Sequence, residues 1–138
     1  MKKYIVISLM IFVCIMIFKS CLTSKPEKLI PSEIVQSVMS MTDKNKYVSI
    51  ATIENEPDHF SIMAELLFEP QSISEVKSFT DAICEDCYRI FKNHNINKSI
   101  NVWGYRPKDK DLTITYGRTH YDKYSGKFEF KTAEELNL

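Results

Sequence analysis

Glycine is scarce in this chain: three residues in 138. That excludes a glycine-rich phosphate cradle, which needs several successive backbone N–H groups free of side chains. No P-loop, no nucleophile elbow of the G-x-S-x-G type and no H-E-x-x-H occurs. Histidine is equally sparse. His59, His94 and His120 stand far apart, and a zinc site would need further ligands brought to them. Net charge is missing too: 18 Lys+Arg balance 18 Asp+Glu. A general nucleic-acid binder needs a basic surface to neutralise phosphates, so that class is excluded. Long apolar runs are absent after residue 18. With 44% apolar and 26% charged residues, the rest is ordinary globular composition, neither collagen-like nor disordered. The length suits one small domain.

The one long apolar run is at the front. Met1-Lys2-Lys3 is a short basic start, and residues 4–18 follow without a charge. As a helix those residues reach about 22 Å, short of the roughly 30 Å hydrocarbon core of a bilayer. The length matches the apolar region of a signal peptide. Phe18-Lys19-Ser20-Cys21 comes next. Together these residues resemble a bacterial lipoprotein signal ending in a lipobox, although Lys19 stands where a small uncharged residue is usual. The resemblance covers residues 1–21 and implies a diacylglycerol on Cys21, membrane attachment through the N-terminus and a domain outside the cytoplasm, in the cell envelope. The same residues, with Lys3 and Lys19 snorkelling at the ends, also suit an uncleaved anchor, and simple cleaved secretion is a third reading. Cys14, inside the run, reads as a small hydrophobe. Without residues 1–21 the chain carries a net charge of −3, too acidic to be held to anionic lipid by charge.

Residues 22–30 are polar, hold Pro26 and read as a tether. Pro31-Ser32-Glu33 opens a helix whose face is Ile34, Val35, Val38 and Met39, ending near residues 43–45. Residues 47–53 alternate and are β-branched, hence a strand. Phe60, Ile62, Ala64, Leu66 and Phe68 alternate with Ser61, Met63 and Glu65 in a second strand, although Met, Ala, Glu and Leu also favour helix. Ser72-Ile73-Ser74-Glu75 is a capping box. It starts a helix over 73–94 with an apolar stripe of Val76, Phe79, Ile83, Cys87, Ile90 and Phe91. Lys77, Asp81, Glu85, Asp86, Arg89 and Lys92 face away. Asn93-His94-Asn95 suits the end of such a helix, since asparagine tolerates the left-handed turn. Residues 99–106 and 112–119 are strands joined by a polar loop, Ser125-Gly126 marks a turn, and 128–130 read as a short fifth strand. Residues 132–138 read as frayed.

The expected fold is therefore α+β, a two-layer α-β-β-α-β-β domain over residues 31–131. Two helices lie on one face of an antiparallel sheet of four or five strands. The helix–strand–strand order occurs twice, without alignable residues, so an ancestral duplication is only a suggestion.

Four groups of residues carry candidate chemistry. Cys84-Glu85-Asp86-Cys87 is a C-x-x-C. It reads as packed thiols, as a disulfide, or as a redox pair. The last suffers from its place deep in a helix and from two flanking acids, which raise a thiol pKa. His120 and Asp122 share a strand face by their spacing of two, a weak signal for acid–base chemistry. Trp103 and Tyr105, with Arg106 and Arg118, form an aromatic and basic cluster. If Ile100 and Val102 face the helices, Trp103 and Tyr105 face away. An exposed Trp–Tyr pair then reads as a platform for a protein, peptide or glycan; the competing reading buries them. Cys21 is the fourth. No cofactor or metal is called for. The sequence thus favours a non-catalytic envelope binding module, with a thiol protein or His120/Asp122 enzyme as the alternative.

Overall fold

In a computed structural model of the chain, residues 28–110 and 112–138 are described. The lipobox-like segment, with Cys21 and Cys14, lies outside the described residues. In chain order the elements are α1 (Ser32–Met39), a 3-10 turn (Ser40–Thr42), β1 (Val48–Asn55), β2 (His59–Leu66), α2 (Ile73–Asn93), β3 (Ser99–Pro107), β4 (Thr113–Asp122) and β5 (Lys127–Thr132). The five strands form one sheet in the order β1-β2-β3-β4-β5. This is the expected α+β class. Every neighbouring pair is antiparallel except β2 and β3, which run parallel. A parallel pair requires a crossover, and α2 supplies it.

Local chemistry explains the element ends. Ser72 caps α2 by accepting the Glu75 N–H, while Glu75 reaches back to the Gln71 N–H at 2.7 Å. At the other end Asn95 takes a left-handed φ of 56°. The Ile96 N–H returns to the Phe91 carbonyl and the Asn95 N–H to that of Lys92, a Schellman closure with asparagine in place of glycine. Helix α1 is shorter than its pattern suggests. It tightens after Met39 because Thr42 turns inward, where its Oγ1 accepts the Ile50 N–H at 3.0 Å. That bond satisfies an outward donor of edge strand β1. The carboxamide of Asn55, at the end of β1, bonds both the N–H and the carbonyl of Ile30 and so pins the incoming segment beside that strand. The edge is thereby blunted against pairing with another chain.

Two boundaries differ from expectation. Ile30 is buried in the core rather than part of a tether. Residues 133–138 are hydrogen-bonded turns rather than frayed: Thr132 and Glu135 exchange side-chain-to-backbone bonds, a second capping box.

The core lies between the sheet and the helices. Phe60, Ile62, Ala64 and Leu66 of β2 join Ile100 and Val102 of β3 and Val76, Ile83, Cys84, Cys87 and Phe91 of α2. Phe60 and Phe91 meet edge to face, with centroids 5.0 Å apart. Thr80 and Cys84 also belong to the buried stripe, and Asp81 is not wholly outward. Its Oδ1 accepts the Thr119 hydroxyl at 2.7 Å, and Thr119 lies 2.8 Å from the Thr80 hydroxyl. Thr119 has one proton, given to the carboxylate, so Thr80 is the donor between the two threonines. On β4 a bulge at the Gly104/Tyr105 level inserts Tyr116, which packs on the core; Leu112, just before the strand, is exposed.

The strand directions rule out superposable repeats. Matching β1-β2 onto β3-β4 keeps their lateral order but reverses each strand. A rotation that does this also exchanges the faces of the sheet. Yet Val38 of α1 and the α2 stripe share one core, so the suggested duplication has no geometric support.

Helix α2 sits close because Gly104 of β3 faces it. A Cβ there would lie 2.8 Å from Val76 Cγ1 and 3.1 Å from Thr80 Cγ2, both fully buried. Gly104→Ala is expected to lower stability by about 1–3 kcal/mol through overpacking. Chemical denaturation of the purified domain checks this, and an unchanged midpoint would show that the helix has room to yield.

Candidate functional site

Alternation on β3 is fixed by the core. Ile100, Val102 and Gly104 point to α2, so Asn101, Trp103 and Tyr105 point to the face that no described helix covers. Register then assembles that face across the sheet. One row runs Thr52, Met63, Trp103, Arg118, Lys131. A second runs Glu54, Ser61, Asn101, His120, Glu129, and a third joins Ser49, Glu65, Tyr105 and Thr115.

Trp103 is at the middle of the middle row and is half-buried. The Arg118 guanidinium carbon lies 5.0 Å from its ring centroid, a cation–π contact. Tyr105 lies next to it, half-buried, with its hydroxyl 3.5 Å from Glu65 Oε2, at the outer limit of a hydrogen bond. Burial, then the Glu65 carboxylate, raise the Tyr105 pKa. Its phenol therefore stays protonated at neutral pH. In the second row His120 Nδ1 lies 2.8 Å from Asn101 Oδ1, and the Asn101 amide reaches Ser61 Oγ at 3.4 Å. Burial and then the Arg118 cation lower the His120 pKa, against smaller opposing effects from Asp122, the Ile100 backbone and Glu129. The imidazole is thus neutral at pH 7.

The expected set is only partly brought together. Trp103, Tyr105 and Arg118 share the open face. Arg106 does not: it pairs across the sheet with Ile114 on the helix side and lies 3.6 Å from Glu69. There it lines a cavity of about 250 Å³ with Pro107, Lys108 and Tyr116. His120 and Asp122 do share the open face, but no hydrogen bond joins them. The Asp122 carboxylate instead accepts the Tyr124 and Ser125 N–H groups of the β4–β5 turn, and these bonds lower its pKa. Met63, Glu65 and Asn101 belong to the face and were not singled out in the sequence. Their alternation was visible, but the register that sets them beside Trp103 was not.

Cys84 and Cys87 are free thiols, both buried, and no bond joins them. Burial, then Asp81 and to a lesser extent Glu85, push the Cys84 thiol up to about 12. Burial raises Cys87 as well, with the neighbouring Cys84 adding to it. Neither is a thiolate at neutral pH, so neither is poised for nucleophilic or redox chemistry. Among the described residues no three His, Cys, Asp or Glu side chains gather to hold a metal ion. None of their helices is long and apolar enough to cross a membrane.

The thiols are expected to resist alkylation at pH 7.5 in the folded protein and to react promptly once it is unfolded. Cys87→Ala is expected to cost roughly 1 kcal/mol or more through lost packing. A timed thiol titration in the presence and absence of denaturant checks the first, and rapid native-state labelling would contradict it.

No family model matches the chain, and no curated protein does. Among solved structures, the chain is similar to that of the sex pheromone staph-cAM373 precursor, with a TM-score of 0.50 and 12% sequence identity. The match covers 76% of this chain and 41% of that one, so this chain spans less than half of that protein's length. At this identity the likeness is one of fold.

Proposed function

We propose that this chain is a small envelope protein, anchored through its N-terminus, that acts as a non-catalytic binding module through its open sheet face. One observation carries the reading. The single tryptophan stands at the centre of the sheet face that no described helix covers, under Arg118, in one row with Met63 and Lys131 and beside Tyr105. Trp, Tyr, Met and Arg are the residue types enriched at the centres of protein interfaces. The polar groups around them, Asn101, Thr115 and Glu129, form the kind of rim such centres carry. Catalysis has less support, because the thiols are buried and Asp122 is occupied by a turn.

The anchoring part rests on Met1-Lys2-Lys3, the apolar residues 4–18 and Cys21. A fold shared with a pheromone precursor accords with a role outside the cytoplasm. Cys21→Ser is expected to leave an unlipidated, full-length chain in a bacterial host. Mass spectrometry checks this, and a wild-type protein that keeps Met1 and bears no lipid would refute lipidation.

The face itself is tested by photo-crosslinking in cells. A photoreactive amino acid at position 105 is expected to give one discrete adduct that Trp103→Ala abolishes. The same group at position 36, on exposed α1, is expected to give none. Equal adducts at both positions, or none at 105, would refute the binding face.

A further inference from the structure

Arg118 is the least satisfied group on the open face. It is half-buried, with Trp103 beneath its guanidinium, so part of its hydration shell is gone. Its Nε is buried and has no hydrogen-bond partner, and among the described residues no carboxylate pairs with it. Other cations near acids are paired: Lys77 with Asp81, Arg89 with Asp86, Arg106 with Glu69, Lys131 with Glu129. A surface lysine needs no partner because water solvates it. A guanidinium set over an indole, with its terminal N–H groups not engaged by a carboxylate, keeps its donor fork available to take a carboxylate in two parallel bonds. Lys131, next in the same row, is already paired with Glu129. The other acids of the face, Glu54, Glu65 and Asp122, lie in other rows, and none of them pairs with Arg118.

Resting on the binding face proposed above, we infer that its partner is a protein that seats an Asp or Glu carboxylate on Arg118, beside an apolar group packed on Trp103 and Met63. Charge complementarity selects the acid. The makeup of the centre selects a protein over an acidic glycan, because Met63, Trp103 and Tyr105 present a broad apolar and aromatic area rather than a row of sugar-directed hydrogen bonds. The fork also discriminates: an amide in place of the carboxylate leaves the cation buried under the partner without a counter-charge, which is costly.

Trp103 is the only tryptophan, so the emission of the intact protein reports the site directly. The probes are a C-amidated peptide of alternating Glu and Leu, the same peptide with Gln for Glu, and oligogalacturonate. The Glu peptide is expected to shift Trp103 emission saturably and to weaken with salt. The Gln peptide is expected to bind at least about tenfold more weakly. Arg118→Lys, which keeps the charge and loses the fork, is expected to weaken the Glu peptide by about tenfold, while Arg89→Gln on the outer side of α2 leaves it unchanged. Equal binding of the Glu and Gln peptides overturns the carboxylate assignment without any change to the protein. A response to oligogalacturonate with none to peptide overturns the protein partner. Silence toward every probe at millimolar concentration, with the position-105 adduct still present in cells, overturns this inference and leaves the binding face standing; loss of the adduct as well overturns both.

Discussion

The close seating of α2 on Gly104 is the constraint from which the rest of the domain follows. A helix can approach a sheet this nearly only where a side chain is missing, and Gly104 lies against Val76 and Thr80 with Gly117 as its cross-strand partner. Gly117 is as confined on its own side, since a Cβ there would lie 2.6 Å from the Lys131 carbonyl. The hydroxyls of Thr80 and Thr119 then meet in the gap, and Asp81 receives the last proton of that chain at the helix edge. A buried polar network of this kind is stable because each member has a partner. It also sets the rotation of α2 about its axis, which turns Cys84 and Cys87 into the core and away from solvent.

Because strand side chains alternate, the parity of one residue decides the parity of all. With Gly104 facing the helix, Trp103 and Tyr105 must face the other way, whatever their hydrophobicity. The face manages that exposure internally. Arg118 lies over the indole, Met63 and Tyr105 flank it, and every one of these side chains is half-buried by its neighbours rather than by a further layer. A bare aromatic patch invites aggregation; one covered by a cation presents a specific, displaceable surface. The blunted edge of β1 serves the same end, since Thr42 occupies a backbone N–H that would otherwise help recruit a foreign strand.

Much of this was legible in the sequence, and the misses have physical causes. Helix α2 announced itself through its capping box and stripe, its end through Asn95, and the outward side of β3 through the need to cover that stripe. Periodicity carries face but not partner, so it could not reveal that β2 pairs with β3 in parallel. Nor could it bring Met63, Glu65 and Asn101 to Trp103. Arg106 was grouped with Trp103 because it is near in sequence, yet one residue of strand reverses a side chain. Asp81 was read as solvent-facing because polarity was taken for exposure, and Thr80 was left out of the buried stripe, while a hydroxyl with partners packs as readily as an alkyl group. Ile30 was assigned to the tether because its contact, the Asn55 carboxamide, lies 25 positions away.

The entry of the chain bears on how an anchored module would present its face. Residue 28 is held where the fold begins: the buried Lys98 ammonium donates to the carbonyls of Lys28 and Glu56, which ties the incoming segment to the β1–β2 loop and to the foot of β3. That foot is also where β2 starts, since His59 pairs with Ser99. From it the strands rise together, and at about 3.3 Å per residue Trp103 and Tyr105 stand roughly 13 and 20 Å along β3. Entry at the foot of β3 therefore leaves Trp103 midway along the strand, with Tyr105 and Glu65 farther from residue 28.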